Sequence, residues 1–339
     1  MNARIDRDTE ASSEPVLEAR DLKKHYVVGH RLSRTGKKLV KAVDGVNLKL
    51  WAGETFGLVG ESGCGKSTFA KCLVRLHSIT SGSLFFEGRD ISALSMRALR
   101  PIRPHLQMVL QDPYASLNPR RRVGELIAEP IRVHTPSTAP EIRIRIAELA
   151  DLVGLTTEQM ERYPHEFSGG QRQRIGIARA LALSPRVIVA DEPVSALDVS
   201  VQAQIINLFA DLQERLGLTY LFIAHDLSVI RQVSTRAAVM YLGSVVEVGP
   251  TRDVYETPAH PYTRALISAV PAPSINRARR TREILEGDSP DPSNPPTGCR
   301  FHPRCFQAQQ RCKDERPVLQ DIAGGRAVAC HFPLTGPPR

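Results

Sequence analysis

The stretch that decides the fold is Gly60-Glu61-Ser62-Gly63-Cys64-Gly65-Lys66-Ser67-Thr68. It fits the pattern G-x-x-x-x-G-K-[ST], which holds nucleotide phosphates when it connects a strand to a helix. Both flanks meet that condition, because an apolar run (residues 55–59) precedes it and the helix-capable sequence FAKCLVRL follows it. The glycines let successive backbone N–H groups point inward, and the following helix adds its positive N-terminal end. The stretch is therefore predicted to bind phosphate.

Two side chains of this loop have predicted roles. Lys66 would reach the β- and γ-phosphates of a nucleotide, and the Ser67 hydroxyl would bind Mg²⁺. A chance Gly- and Ser-rich turn is the alternative, and the two flanks argue against it. A dinucleotide-binding fold is excluded because no G-x-G-x-x-G occurs here. Cys64 and Cys72 are interpreted as small packing residues.

The rest of the chain shows an α/β pattern. Strand-type runs occur at LFFEG near residue 84, VIVA from 187, TYLFIA from 219 and AAVMYLG from 237, with helix-periodic stretches between them. Strand signals stop between about residues 112 and 170, where EIRIRIAELADLVGL has the apolar spacing of one helix face. We predict an α/β domain over residues 16–257 with a helical insertion at about 112–170.

The two ends of the chain differ from this core. Residues 1–15 are charged and lack an apolar segment, which indicates a flexible tail rather than a signal peptide. From residue 258 to 339, prolines interrupt regular structure and cysteines accumulate, which indicates a separate C-terminal extension.

Composition limits the class of protein. The 339 residues are 42% apolar and 24% charged, which supports a folded core and excludes a disordered chain. The formal charge of +9 suits acidic partners such as nucleotides or lipid headgroups. No apolar run approaches the roughly 18 residues of a membrane-spanning helix. The expected compartment is the cytosol, where cysteines serve as thiols or metal ligands rather than in disulfides.

Polar motifs follow the loop in a defined order. Gln111 ends the apolar run Met108 to Leu110, and Asp191 and Glu192 end the run VIVA. A carboxylate at a strand end suits the Mg²⁺ shell, and the adjacent Glu192 can polarise a water in line with the γ-phosphate. Ser168, Gly169, Gly170 and Gln171 form a Gly-rich helix start. Asp198 ends a turn, and His225 follows an apolar strand.

This order resembles the nucleotide-binding domain of ATP-binding-cassette (ABC) transporters. The resemblance identifies Walker A, a Q-loop at Gln111, the signature at Ser168 to Gln171, Walker B at Asp191, a D-loop ending at Asp198 and a switch residue, His225. It implies a P-loop NTPase fold with a RecA-like α/β core, an antiparallel β subdomain and a helical subdomain. ATP and Mg²⁺ are the implied cofactors, with Ser67, Gln111 and Asp191 arranging the metal.

The family pattern implies further roles. Two such domains pair head to tail, so that the signature residues Ser168, Gly169 and Gly170 contact the γ-phosphate held by the partner's P-loop. Glu192 is implied as the base, and His225 as the residue that positions the γ-phosphate. Tyr26 stands where the family stacks an aromatic ring on adenine, and a tyrosine that only packs in its strand is the alternative.

Longer segments resemble one subfamily, the ATPase subunits of bacterial dipeptide and oligopeptide importers. They are QDPYASLNPR at 111–120, RYPHEF at 162–167, EPVSALD at 192–198 and HPYT at 260–263. The match to the F-type subunit implies a D-type ATPase partner, two transmembrane permease subunits and, indirectly, an extracytoplasmic solute-binding protein. The chain would lie peripherally on the cytoplasmic face of the inner membrane. Nickel, glutathione and antimicrobial-peptide systems share this sequence style.

Two other classes remain open. A soluble ABC ATPase of translation or DNA repair is one, although such proteins usually carry two cassettes or a long coiled-coil insertion. A metal- or redox-sensing regulatory module is the other. The chain has basic runs at Arg120, Arg121 and Arg122 and at Arg277, Arg279, Arg280 and Arg282. No aromatic pattern beside them supports nucleic-acid binding.

Four of the six cysteines lie near the C-terminus with the spacing C-x5-C-x6-C-x17-C: Cys299, Cys305, Cys312 and Cys330. This is a poor match to ordinary zinc-ribbon spacing, yet four thiolates suit either Zn²⁺ or an iron-sulfur cluster. The importer resemblance implies a [4Fe-4S] cluster. Zinc and no metal at all stay as alternatives.

Overall fold

The computed structural model describes residues 14–28, 37–269, 287, 290–334 and 336. The predicted N-terminal tail therefore lies outside the described residues except at its last two positions, as does most of the proline-rich segment that follows residue 269.

A central sheet carries the site. In the described ranges it has eight strands in the order β11-β12-β10-β9-β3-β8-β7-β6. Strands β9, β3, β8, β7 and β6 run parallel, whereas β10, β12 and β11 continue the sheet in antiparallel pairing. Their bounds are β3 Thr55–Val59, β6 Leu106–Val109, β7 Val187–Asp191, β8 Thr219–Ala224, β9 Arg236–Tyr241, β10 Ser244–Pro250, β11 Gln320–Ile322 and β12 Arg326–Val328.

The parallel strands are apolar because both sheet faces are covered. Every residue of β3, β7 and β8 is buried, as parallel sheets with helices on both faces require. The strand predictions at residues 84, 187, 219 and 237 are confirmed.

A second, antiparallel sheet packs beside the first. Its order is β2-β1-β4-β5, and its strands are β1 Leu17–Val28, β2 Lys38–Leu50, β4 Ser81–Phe86 and β5 Arg89–Asp90. Apolar residues of this sheet, such as Leu22 and Leu84, share one buried cluster with Leu58 of β3 and Phe69 of the helix after the P-loop. This packing joins the two sheets around the P-loop.

The described α-helices cover the central sheet and form the insertion. They are α1 Lys66–Leu73, α2 Met96–Leu99, α3 Pro113–Ser116, α4 Val123–His134, α5 Ala139–Leu152, α6 Gly169–Leu181, α7 Val199–Leu216, α8 Leu227–Val233, α9 Thr251–Glu256, α10 Pro261–Ala269 and α11 Gln310–Asp314. Short 3₁₀ turns occur at Glu158–Glu161, Pro164–Glu166 and His302–Arg304.

The middle of the chain is helical, as its sequence predicts. The Thr138 N–H donates to the Glu141 carboxylate at the start of α5 (2.6 Å), which satisfies an amide that the first helical turn leaves free. Ile142 and Leu149 are buried on the predicted face. This face packs into the same cluster as α4 and α6.

The C-terminal extension joins the central sheet. β12 pairs with β10, placing Glu247 opposite Val328. The buried Glu247 carboxylate accepts the N–H groups of Ala259 (2.8 Å) and His260 (2.9 Å), which fixes the entry into α10. This segment therefore continues the sheet of the ATPase-type core.

Candidate active site

The predicted site residues meet at one edge of the central sheet. Gln111 follows β6, Asp191 ends β7 and Glu192 follows it, His225 follows β8, and the P-loop follows β3. These strands are neighbours in the order β3-β8-β7-β6 and run parallel. The carboxyl ends of parallel strands share one edge, where α/β proteins bind ligands. The sheet order thus brings together residues that are far apart in the chain.

The P-loop has the close backbone approach that its glycines permit. Gly65 has φ +107°, and a Cβ there would collide with the carbonyl oxygen of Ala42. A Cβ at Gly60 would collide with the carbonyl oxygen of Met240. Gly65 also precedes α1, and its carbonyl accepts the Phe69 N–H (2.9 Å). The loop therefore leads directly into a helix N-terminus, which favours anions.

Lys66 is buried within this loop. Its side chain is 3% exposed, and Nζ donates to the carbonyl oxygens of Gly60 (2.7 Å) and Glu61 (3.0 Å). Glu192 Oε1 lies 3.9 Å from the same nitrogen. The ammonium group is therefore held within the loop and lies beside the Glu192 carboxylate.

Ser67 and Asp191 lie side by side. The Ser67 Oγ donates to Asp191 Oδ1 (2.9 Å), and burial raises the pKa of Asp191. A hydroxyl and a carboxylate are oxygen ligands that Mg²⁺ prefers. Mg²⁺ bound there would favour the ionised form of Asp191.

Glu192 contacts several of the polar side chains at this edge of the sheet. Gln111 Nε2 donates to its Oε2 (3.0 Å), and His225 Nδ1 lies 3.3 Å from the same oxygen. Its backbone is left-handed, with φ +46°, while its N–H donates to the Ile223 carbonyl (3.0 Å). Strained non-glycine residues of this kind concentrate at functional sites. The arrangement aims a carboxylate, held from two sides, toward the P-loop.

The signature residues form a second group at the start of α6. The Gln171 N–H donates to Ser168 Oγ (3.3 Å), and the Ser168 N–H donates to Gln171 Oε1 (3.1 Å). Side chains at Gly169 or Gly170 would press on Leu197 and Val201 respectively. The Asp198 carboxylate accepts the Val201 N–H (3.0 Å) and begins α7. The signature and the D-loop therefore form one packed unit.

Tyr26 of β1 faces the helix that follows the P-loop. Its side chain lies beside Thr68 and Cys72, and burial raises the pKa of its hydroxyl. The His77 ring meets it edge-on at 6.1 Å. The adenine-stacking role stays a prediction. Cys64 and Cys72 are both buried, and burial raises the pKa of Cys72 to about 11, so Cys72 is a packing thiol.

Comparison with known proteins places this geometry in a family. Residues 43–195 match the family "ABC transporter", and residues 246–312 match "Oligopeptide/dipeptide transporter, C-terminal region". AppF of Bacillus subtilis, an oligopeptide transport ATP-binding protein, is 51% identical over 326 residues, covering 96% of this chain and 99% of AppF. The chain belongs to the ABC transporter ATPases.

Other relatives of this ABC ATPase have similar names. OppF of Salmonella typhimurium, an oligopeptide transport ATP-binding protein, is 50% identical; the alignment covers 93% of this chain and 95% of OppF. DppF of Pseudomonas aeruginosa, a di/tripeptide transport ATP-binding protein, is 49% identical; the alignment covers 94% of this chain and 98% of DppF. The resemblance predicted from the motif order is confirmed.

Solved structures share the cassette. The ATP-binding cassette MJ0796, in a dimeric post-hydrolysis state with ADP and Pi, superposes with a TM-score of 0.62 at 29% identity over 70% of this chain and 99% of that one. The cbiO1 protein of Clostridium perfringens superposes with a TM-score of 0.62 at 26% identity, over 72% of this chain and 91% of cbiO1. The prediction of an ABC-type ATPase with a cassette fold is confirmed.

Among the described residues of the ABC ATPase, no helix has the length and apolar character that spanning a bilayer demands.

The four C-terminal cysteines of the ABC ATPase line one small cavity, together with aromatic and histidine side chains that include Phe301 and His260. Burial raises the pKa of Cys305 to about 11 and of Cys330 to about 12, and neighbouring thiols add to both shifts. Within the described ranges, no three His, Cys, Asp or Glu side chains form a group that could hold a metal ion. The predicted iron-sulfur cluster is not supported by this geometry.

Two contacts at the P-loop were absent from the sequence predictions. Arg304 forms a two-pronged ion pair with Glu61, and the Tyr262 hydroxyl accepts the Glu61 N–H. Tyr262 lies in HPYT, which the sequence identified only as a subfamily pattern. No local signal marks Arg304, because its partner is 243 positions away.

Proposed function

We propose that this ABC ATPase is the ATP-hydrolysing subunit of an importer for dipeptides or oligopeptides. It would pair with a second, D-type ATPase subunit and drive two membrane permeases, with an extracytoplasmic binding protein delivering the solute. Its place would be the cytoplasmic face of the inner membrane. The carrying observation is the near full-length similarity, about half of all residues, to proteins named for peptide transport.

The polar cluster supports the proposed reaction. Lys66 and the loop amides would hold the phosphates, and Ser67, Gln111 and Asp191 would arrange Mg²⁺. Glu192 would act as the base toward water, with His225 positioning the γ-phosphate. The contacts that support this are those of Glu192 with Gln111 (3.0 Å) and His225 (3.3 Å).

We propose that the ATP site is completed by the partner subunit. The signature unit around Ser168 makes its hydrogen bonds within α6, and the P-loop cluster lies at the ends of β3, β7 and β8. Head-to-tail pairing would bring the signature of each subunit to the P-loop of the other. The proposed division into an ATPase domain at 16–257 and an extension at 258–339 leaves both groups in the first domain.

A groove beside the Q-loop is the proposed docking site for a permease. It lies between β6 and the helices α4 and α6, and its lining includes Leu76, Leu110 and Val133. These three apolar side chains are exposed, and Leu110 adjoins Gln111, which contacts Glu192. A permease helix with an apolar face would fit this groove and stand next to the catalytic cluster.

Val133→Asp is expected to weaken assembly with the permeases about tenfold, because it places a charge among the apolar side chains that line the groove. Val133 is 52% exposed, so the fold should tolerate the change. Ile144→Asp is the matched control, since Ile144 is also exposed (62%) but lies on α5 and outside the groove. Co-purification and ATP binding are measured together. Equal assembly of both variants would contradict the docking site.

Transport assays with the assembled complex test the solute. With the permeases and the binding protein in vesicles, labelled dipeptides or oligopeptides should enter only with ATP, and Glu192→Gln should abolish uptake. Uptake of nickel or glutathione but not peptides would replace the proposed substrate. A chain that never co-purifies with membrane subunits would favour a soluble ABC ATPase.

We also propose a metal centre, a [4Fe-4S] cluster, at Cys299, Cys305, Cys312 and Cys330. The support is the family resemblance and the chemistry of four thiols, which suits iron-sulfur clusters or zinc. The thiols line one cavity, but the described residues do not form a metal-binding group there. Bound there, such a group would tie the extension together, and no step of ATP hydrolysis passes through it.

Anaerobic purification tests this centre. Brown protein with visible absorption and about four iron and four sulfide per chain is the expected result, and Cys312→Ser should remove most of it. Cys72→Ser is the control, since Cys72 packs in the core near the P-loop. A colourless sample without iron would refute the iron-sulfur cluster, and zinc bound in its place would identify a zinc site.

A further inference from the structure

The C-terminal extension contacts the P-loop at Glu61. Arg304 donates from Nη1 to Glu61 Oε2 (2.8 Å) and from Nη2 to Oε1 (3.1 Å). The Arg304 side chain is 8% exposed and that of Glu61 is 24% exposed. Paired, partly buried Arg–carboxylate bonds of this form are strong and fix orientation. The ion pair raises the pKa of the Arg304 guanidinium, so its charge is constant at all working pH values.

The backbone of the same residue is also held. The Glu61 N–H donates to the hydroxyl of Tyr262 (2.9 Å), and Tyr262 is fully buried on α10. Its ring packs against Tyr241 and Phe301, with centroid distances of 4.6 and 5.4 Å. Glu61 is thus restrained at its main chain and its side chain by two residues outside the cassette proper.

A second connection reaches the other side of the loop. Arg300 donates to the carbonyl oxygen of Leu242 and to the Asp44 carboxylate. Gly243, which follows Leu242 in the chain, donates its N–H to the Cys64 carbonyl (2.8 Å). Burial alone would raise the pKa of Asp44, but its bond to His25 and the charges of the arginines lower the pKa to about 2. The turn between β9 and β10 is therefore fixed between the extension and the loop.

We propose that Arg304 and Tyr262 are positioning residues for ATP binding. Both contact the loop at Glu61, and neither is among the residues proposed to hold phosphate or Mg²⁺. They act through Glu61, the second residue of the loop, by restricting the backbone to the curve that aims its N–H groups at phosphate. A loop already held in its binding shape loses less conformational freedom when ATP binds. The extension thereby sets the nucleotide affinity of the cassette, independently of the solute transported.

The test is nucleotide affinity in the purified full-length chain. Arg304→Met should raise the Kd for ATP and for ADP about tenfold, because both nucleotides use the same phosphate cradle. Arg304→Lys keeps the charge without the two-pronged geometry and should recover part of the affinity. Tyr262→Phe should raise the Kd about threefold to tenfold. Arg252→Met is the matched control, since Arg252 makes an exposed ion pair with Glu256 on α9, and its Kd should stay unchanged.

The coupling between substitutions at Glu61 and Arg304 distinguishes a positioning role from a general effect on stability. The double variant Glu61→Gln/Arg304→Met should have nearly the Kd of the single variant that binds ATP more weakly, because both substitutions remove the same interaction. In the assembled transporter, Arg304→Met should raise KM for ATP while kcat at saturating ATP stays within about twofold. A folded Arg304→Met protein with wild-type Kd would overturn the proposal. So would strictly multiplicative effects in the double variant. If Arg304→Met fails to fold, an unchanged Kd in Tyr262→Phe overturns it.

Discussion

Glu192→Gln should lower ATP turnover in the assembled complex by about 10²- to 10⁴-fold, the usual contribution of a general base. The amide keeps the shape of the carboxylate and its contacts with Gln111 and His225, but it has no basic oxygen to accept a proton from water. ATP should still bind, since Lys66 and the loop are untouched. Trapped, unhydrolysed ATP measured after gel filtration is the expected signature.

The control for this prediction is Glu148→Gln. Glu148 is an exposed carboxylate on α5 that pairs with Arg145 (3.0 Å), so its loss should leave turnover unchanged. Wild-type ATPase activity in Glu192→Gln would refute the proposed base, and another group would then have to activate the water.

Lys66→Met should raise the Kd for ATP by about 30- to 4,000-fold. Truncating one partner of a buried, hydrogen-bonded charge pair costs about 2–5 kcal/mol, and each 1.4 kcal/mol is a factor of ten. Methionine fills the same space, so packing around α1 is largely preserved. The measurement is titration with a fluorescent ATP analogue, with thermal unfolding to confirm the fold.

Lys49→Met is the matched control for Lys66. Lys49 is exposed on β2 and forms a loose pair with Glu18 (3.6 Å), which is worth little in water. Its Kd for ATP should equal that of the unmodified protein. Comparable affinity in Lys66→Met and Lys49→Met would mean that the buried ammonium group does not hold the phosphates.

Much of the nucleotide site could be predicted because its signals are local. Gln111, Asp191 and His225 each follow an apolar run, and the glycines of the P-loop stand at fixed spacing. Parallel strands place their carboxyl ends at one edge, which is why residues identified one by one lie together in the structure. The contacts of Glu192 with Gln111 and His225 are the result.

Other features had no local signal. The left-handed backbone of Glu192 depends on how β7 ends beside β8. The four cysteines were expected to form a metal site, and the structure places them around one cavity without a metal-binding arrangement among the described residues. Spacing identifies which thiols are available, whereas the distances between them depend on the packing of the whole extension.

By itself the sequence determined the α/β class, the P-loop, the order of the cassette motifs and the subfamily, because each rests on residue types at short, fixed spacing. Only the tertiary structure decided the strand order β3-β8-β7-β6, the addition of β12 to the core sheet and the hold of Arg304 and Tyr262 on Glu61. The physical reason is sequence separation. These contacts join residues that are between 32 and 243 positions apart. They depend on packing and hydrogen bonding across the folded chain, which no local pattern encodes.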